Sequence, residues 1–432
     1  MTRTRWTLAV LATGLALAWS AAAQAIDAEP LVLTLEEAIA LAAVQGHEVR
    51  KAREYGAQVE GRYIEERAAA LPHFSVAAGV SRSDDASQEG LGPPRRTDSS
   101  SVLLAASQPL FTWGQIPAAI RAADIGRATA VDRLAAAQAE ARRNAAIAFS
   151  DVLLARELEA LAIQNLEQKQ RHLEEARRRL SAGTVTDYDV LAAEVTVENA
   201  RPEWIRMANR VQSTRDRLAF ILGIRERPVD AVGSLECATG PVPDPFEALQ
   251  TAVARRPDLA ELRKNRQVAE ELVRIAAAGN KPRLDLGADG GWRTVDLDGN
   301  SGDGSAWSAE LLLRWPIFDG GRTRGAVARA RSDARNVGLE IERFIDALAL
   351  ETRTAVDAVR EAAAIVEALD GTVAQAERLL AMAEQGFALG VKTRLDVDDA
   401  QLNLIEARAG LARGRRDLQV SRIALDWIMG TL

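Results

Sequence analysis

The sequence is poor in the residues on which many enzymes and metal proteins depend. It contains one cysteine, Cys237, and three histidines among 432 residues. A single cysteine cannot form an intramolecular disulfide, and the histidines are too scattered in the chain to suggest a metal cluster. The sequence also lacks a G-x-S-x-G nucleophile motif and a glycine-rich phosphate-binding loop. We therefore predict no enzymatic activity and no cofactor.

Long apolar runs and positive charge are scarce as well. Beyond residue 23 no stretch stays apolar for the roughly 20 residues that a membrane-spanning helix requires, so any membrane-spanning part must be built from strands. The formal net charge of −7 disfavours nucleic acid as a partner. Aromatic residues make up only 4 % of a chain that is 47 % hydrophobic, and this composition favours long helices.

The first 23 residues have the pattern of a secretory signal peptide. Arg3 and Arg5 precede an apolar run at 6–19, and small residues follow it. We predict cleavage after residue 23 or residue 25, and export of the chain. No lipid anchor is expected, because no cysteine follows the apolar run. The alternative is a buried apolar helix.

The rest of the chain is an internal duplication. At an offset of 207 residues the segment 176–201 aligns with 383–408. The matched pairs at this offset include Gly183 with Gly390, Asp189 with Asp396, Pro109 with Pro316 and Phe111 with Phe318. Chance similarity between alanine-rich helices does not explain proline and glycine anchors. We predict two structural repeats, 24–223 and 246–432, joined by a linker at 224–245.

Each predicted repeat contains the same series of elements. The first has a helix at 33–70, a β-hairpin at 73–110, a long helix, a tip at 181–189 and a second long helix. The second has a helix at 246–279, a β-hairpin at 283–316, a long helix, a tip at 388–396 and a last helix. Thr34 and Glu37 predict a capping box at the first helix. No proline occurs between 118 and 180, so residues 117–180 would extend about 95 Å as one helix.

The hairpin strands alternate apolar and polar residues, as in the apolar set Leu284, Leu286 and Ala288. Each strand is about ten residues long, the length that crosses a bilayer when tilted. Aromatic residues near the strand ends are predicted to lie at the membrane interfaces; they are Phe74, Trp292, Trp307 and Trp315. The polar segments 82–100 and 293–305 are predicted to be loops. The alternative is a soluble hairpin with one hydrated face.

Four strands are too few to form a membrane barrel. A closed barrel needs about eight strands, and lipid does not tolerate an open sheet edge. Several copies of the chain must therefore share one barrel. The predicted fold is mostly helical with a small β part: a duplicated bundle of long helical hairpins, plus four strands per chain that join a common transmembrane β-barrel.

Several short motifs of the chain, taken in their order along it, resemble those of the outer membrane efflux proteins of the TolC family. The motifs are LTLEEAIALAA at 33–43, PLF at 109–111, PIF at 316–318, the repeated G-x-x-x-x-x-D-V tips and LDWIMGTL at 425–432. The resemblance implies a homotrimer with a twelve-stranded β-barrel in the outer membrane and a helical α-barrel in the periplasm. It implies the exit duct of a tripartite efflux pump or a type I secretion system, with a periplasmic adaptor and an inner-membrane transporter as partners. The alternative is a periplasmic coiled-coil scaffold without a barrel.

The resemblance also implies functions for residues of the two tips. The implied adaptor-docking residues are Gly183, Thr184, Val185, Gly390 and Val391. The implied periplasmic gate consists of Asp396 and Asp399, with Asp189 and Lys392 as further members. Phe387 stands where the family has an aromatic hydroxyl, so this chain lacks that hydrogen bond. For Asp398 we predict a solvated residue at a helix start.

Overall fold

The chain is mostly helical and contains four long strands, which confirms the predicted fold class. A computed structural model describes residues 29–84, 96–225, 227–236, 240–297 and 299–432. The predicted signal peptide and Cys237 lie outside these residues. The described chain divides into two compact units. Unit 1 holds the described residues within Met1–Ala52, Ala135–Arg256 and Ile345–Leu432, and unit 2 holds those within Arg53–Leu134 and Pro257–Phe344.

The elements follow each other in two similar series. The helices are α1 (Leu35–Gln45), α2 (His47–Ala68), α3 (Gln115–Ser181), α4 (Asp187–Leu222), α5 (Pro245–Arg255), α6 (Pro257–Ala277), α7 (Arg322–Ala388) and α8 (Arg394–Met429), with a short 3-10 helix at Ala278–Asn280. The strands are β1 (Leu31–Leu33), β2 (His73–Asp84), β3 (Arg96–Phe111), β4 (Val229–Ala231), β5 (Arg283–Leu297) and β6 (Asn300–Arg314). Both α3 and α7 have 67 residues, and both α4 and α8 have 36, as expected for duplicated elements. None of the described helices combines the length and the apolarity needed to span a membrane.

The first predicted helix of each repeat is broken at an equivalent position. Gly46 separates α1 from α2, and Arg256 separates α5 from α6. A side chain at Gly46 would place its Cβ 2.6 Å from the carbonyl oxygen of Ala42. Arg256 has an extended backbone with ψ of 117°, because the ring of Pro257 disfavours the helical conformation in the residue before it. The predicted capping box of Thr34 is confirmed at the start of α1.

The core of unit 1 surrounds a small parallel sheet that the sequence analysis did not predict. Strand β1 pairs with β4, with Leu31 opposite Val229. The carboxylate of Asp230 in β4 is largely buried, and it accepts hydrogen bonds from Arg156 at 2.6 Å and from Arg215 at 2.7 Å. Two guanidinium groups on one carboxylate offset the cost of burying its charge. Apolar residues of α1, α3, α4 and α8 pack around this sheet.

In unit 2 the four long strands form one antiparallel sheet in the order β2-β3-β5-β6. The register places most of the large apolar residues of the four strands in rows on one face. Three successive rows are Ala78–Val102–Trp292–Ser305, Val76–Leu104–Gly290–Trp307 and Phe74–Ala106–Ala288–Ala309. The residues between these rows alternate to the opposite face, where the two intervening rows are Ala77–Leu103–Gly291–Ala306 and Ser75–Ala105–Asp289–Ser308. One face of the sheet therefore carries most of its large apolar side chains, and the other face carries mainly small and polar ones.

The loop predicted at 293–305 is wrong, because β5 continues to Leu297 and β6 begins at Asn300. The ladder is formed by backbone groups, so polar residues such as Asp296 and Asp303 are accommodated within it. The sequence signal for the tight connection is the Asp-Gly pair at 298–299, and Gly299 has φ of +90°. Strand residues also occupy both ends of the loop predicted at 82–100, whose residues 85–95 lie outside the description.

The two hairpins meet where β3 pairs with β5, and Gly291 in β5 has no room for a side chain. A Cβ atom at Gly291 would lie 2.0 Å from the carbonyl oxygen of Val102 and 2.9 Å from Cα of Leu103. Real Cβ atoms do not approach backbone atoms so closely, so the pairing of the two hairpins requires glycine here.

Candidate functional site

Both predicted tips are tight turns that begin in the left-handed backbone region. Gly183 and Gly390 have φ of +71° and +74°, a conformation that glycine adopts without steric cost. In the second tip the N–H of Gly390 donates to the carbonyl of Phe387, and the N–H of Val391 donates to that of Gly386. The glycines therefore end the helices α3 and α7 and allow the chain to reverse direction.

Asp189 and Asp396 each form a capping box at the start of the helix that follows the tip. The N–H of Thr186 donates to Asp189 Oδ2 at 2.8 Å, and the N–H of Thr393 donates to Asp396 Oδ2 at 2.8 Å. The hydroxyl of Thr393 and, to a lesser degree, its backbone N–H donate hydrogen bonds to Asp396 that hold the pKa of this carboxyl below its ordinary value. The backbone N–H of Thr186 and, to a lesser degree, its hydroxyl likewise donate hydrogen bonds that lower the pKa of Asp189. The sequence signal for this structural role is the Thr-x-x-Asp spacing.

This geometry predicts that Asp396 titrates below the ordinary range of an aspartate, and that Thr393→Val moves its midpoint back up. A lowered folded pKa means that the carboxylate stabilises the first turn of α8 above the unfolded pKa. This contribution is lost as the pH falls through the folded pKa. Carboxyl ¹³C NMR of aspartate-labelled protein measures the midpoint. Thr372→Val is the control, because its hydroxyl bonds the carbonyl of Ala368 within α7. An unchanged midpoint in Thr393→Val would exclude the hydroxyl of Thr393 as the main cause of the lowered pKa.

The structure brings together only two of the four predicted gate residues. The Lys392 Nζ lies 3.3 Å from Asp396 Oδ1. Asp399, one turn further along α8, is exposed and has no hydrogen bond or ion pair within the described parts of the chain. Asp189 belongs to the first tip and is paired only with Thr186 among the described residues. The charge of Asp396 is therefore compensated by a lysine, whereas that of Asp399 is not.

Asp398 is exposed near the start of α8, as predicted, and it also lies close to α3. Its Oδ1 lies 3.7 Å from Nδ1 of His172 on α3 and 3.4 Å from Nε of Arg394. Close by, the guanidinium groups of Arg179 and Arg394 each lie 5.8 Å from the ring centre of Phe387. Phe387 thus offers its π face to two cations where the resemblance implies a hydroxyl. Contacts between α3 and α8 leave no local signal in the sequence.

The four aromatic residues predicted for the membrane interfaces are all exposed on the sheet or at its end. Their exposed fractions are 70 % for Phe74, 54 % for Trp292, 82 % for Trp307 and 58 % for Trp315. The register places the first three on the apolar face of the sheet.

Trp113, which the sequence analysis did not select, extends this exposed aromatic set at the exit of β3. It is the one non-glycine residue of the described chain with a positive φ, at +49°, and such a backbone costs a bulky residue about 1–2 kcal/mol. The equivalent residue of the second repeat is Gly320. The ring of Trp113 packs edge-on against Phe111 at 5.3 Å, and both rings are half-exposed. The signal for this cluster is the PLF motif that precedes it.

Comparison with known proteins identifies the relatives of the chain. The outer membrane efflux protein family matches residues 38–224 and 248–431. The outer membrane protein TolC of Escherichia coli (strain K12) is 24 % identical over 301 residues, which cover 67 % of this chain and 61 % of TolC. The TolC protein of Vibrio cholerae serotype O1 is 24 % identical over 381 residues, covering 85 % of this chain and 83 % of that protein.

A similar fold is found in the crystal structure of the CmeC outer membrane channel of Campylobacter jejuni. The TM-score is 0.80 at 17 % sequence identity, and the match covers 92 % of this chain and 85 % of CmeC. At this identity the likeness concerns the fold. Together with the family match over both repeats, it establishes that the chain belongs to the outer membrane efflux protein family.

Proposed function

We propose that the protein is the outer membrane exit duct of a tripartite efflux pump or a type I secretion system. It would conduct substrates passively from the periplasm to the exterior. The observation that carries this proposal is the exposed apolar face that all four strands of the sheet share, in a member of the efflux protein family. A soluble hairpin would have no reason to expose aromatic and aliphatic residues across every strand.

The sheet can enter a membrane only as part of a larger barrel. Strands β2 and β6 are its edges and carry unpaired backbone groups, which lipid does not tolerate. Three copies supply twelve strands, and pairing β2 of one copy with β6 of the next removes every edge. The apolar face then contacts outer membrane lipid, with Phe74, Trp292, Trp307 and Trp315 near the interfaces. The polar face lines the channel.

The helical part of the homotrimer then forms a periplasmic α-barrel, and its tips are the surface for an adaptor. The proposed docking residues are Gly183, Thr184, Val185, Gly390 and Val391. Leu389 and Val391 are both 79 % exposed, and apolar residues so exposed at a turn favour a protein partner. The adaptor would connect the duct to an inner-membrane transporter. We expect the predicted signal peptide to direct export of the chain.

The proposed gate lies at the second tip. Threefold symmetry converts Asp399 into a ring of three carboxylates, and such rings attract cations and repel each other. Asp396 and Lys392 form an ion pair beside this ring. Asp189 would complete the gate from the first tip.

The experiment that tests the duct combines extraction with conductance. We expect washed envelopes to release the protein only with detergent, and the purified trimer to form discrete channels in planar bilayers. Release by salt or carbonate would instead favour the periplasmic scaffold. A photo-crosslinker at Val391, compared with one at the exposed Leu350 within α7, identifies the adaptor.

A further inference from the structure

We propose that Gly386 is a positioning residue that holds Lys392 against Asp396, so that the second tip of each protomer presents a single uncompensated gate carboxylate, Asp399. The inference rests on the proposed function, because it concerns the cation affinity of the channel entrance. A single glycine would thereby determine whether one or two carboxylates of the second tip are available to bind a cation.

The geometry around Gly386 carries the inference. A Cβ atom at Gly386 would lie 2.6 Å from Cγ and 3.1 Å from Cβ of Lys392. The carbonyl of Gly386 also accepts hydrogen bonds from the N–H groups of Val391, at 2.9 Å, and Lys392, at 3.1 Å. The backbone of Lys392 is therefore fixed over the glycine, and the first carbons of its side chain fill the space that a Cβ would take. From this seat its ammonium group reaches Asp396 at 3.3 Å.

The first tip indicates that the turn itself does not demand glycine at this position. The residue equivalent to Gly386 is Arg179, and its carbonyl likewise accepts a hydrogen bond from the N–H of Thr184, at 3.0 Å. The residue equivalent to Lys392 is Val185, which has no charge to deliver. Glycine is thus paired with lysine in the second tip, and a larger residue is paired with valine in the first.

The position of Lys392 matters because two gate carboxylates lie beside it. Asp396 and Asp399 are three residues apart on one face of α8. With Lys392 in place, one carboxylate is neutralised and the other remains exposed without a partner within the described residues. With Lys392 displaced, both carboxylates would face the same cation, and their attraction for it would add.

The test is block of single channels by the trivalent ion La³⁺. We expect Gly386→Ala to displace the lysine stem and to lower the La³⁺ concentration for half-block by about threefold to tenfold, because Asp396 joins Asp399 at the entrance. Gly371→Ala is the matched control: it lies in the same helix, and a Cβ there meets nothing within 4 Å. It should leave the block unchanged while sharing any general effect of alanine on the helix.

Lys392→Gln completes a double-mutant cycle. It should tighten the block at least as much as Gly386→Ala, and adding Gly386→Ala to it should change nothing further. The proposal fails if Gly386→Ala behaves like Gly371→Ala, if Lys392→Gln leaves the block unchanged, or if the two changes add independently. Absence of channels or of any La³⁺ block in the wild type would instead sink the proposed function.

Discussion

Replacing Gly291 with alanine is expected to abolish assembly of the protein in the outer membrane. The added Cβ would lie 2.0 Å from the carbonyl oxygen of Val102, a backbone atom that can move only if β3 and β5 separate. Since this pairing joins the two hairpins, its loss leaves two isolated two-stranded hairpins, which are marginally stable at best. The measurement is the amount of detergent-resistant trimer in purified outer membranes.

Gly290→Ala is the control for this prediction, because it changes the adjacent residue of the same strand. A Cβ at Gly290 comes no closer than 3.5 Å to another atom, the Cβ of Trp307, which is an ordinary contact. Normal amounts of this trimer are expected. Normal assembly of the Gly291→Ala protein would show that the two hairpins are not held in the register described above.

Asp399→Asn is expected to raise the La³⁺ concentration for half-block by at least about tenfold, because it removes the three uncompensated carboxylates that the second tips present at the trimer entrance. The double change Lys392→Gln with Asp396→Asn removes a cation and an anion together, so the net charge of the tip is unchanged. It should alter the half-block concentration by less than about twofold. Planar-bilayer recordings over a series of La³⁺ concentrations measure both.

The comparison separates two kinds of gate. If both carboxylates of the second tip bind cations equally, the double variant should lose much of its block. If the ion pair of Lys392 and Asp396 is retained in the assembled channel, only the Asp399→Asn protein should lose its block by La³⁺. A wild-type block in the Asp399→Asn protein would remove Asp399 from the gate.

The hairpins, the long helices and the tips could be predicted because their signals are local. Alternation in residues 283–292 reports a strand, and glycine in a repeated acidic motif, as at Gly183 and Gly390, reports a turn. The duplication reinforced these signals, because each of them occurs once in each repeat. The helix break at Arg256 also had a local signal, the proline that follows it, but continuous helical periodicity on both sides obscured it.

The missed features depend on residues that are distant in sequence. Asp398 contacts His172 although 226 positions separate them, and nothing near either residue marks the other. Gly386 gives no signal either, because nothing in the sequence around it shows that the Lys392 side chain lies against it. Candidate charges could therefore be selected from sequence, but their pairing could not.

The small parallel sheet constrains the order in which the first repeat can fold. Strand β1 ends at Leu33 and its partner β4 begins at Val229, so the pair closes a loop of roughly 200 residues, a slow and strongly non-local step. The arginines that hold Asp230 come from α3 and α4, so its burial requires that helical hairpin to be closed already. A nascent chain that has not yet reached residue 229 therefore leaves Leu31–Leu33 unpaired and open to proteolysis. Protection of Leu31–Leu33 from proteolysis would therefore show that the first repeat has finished folding.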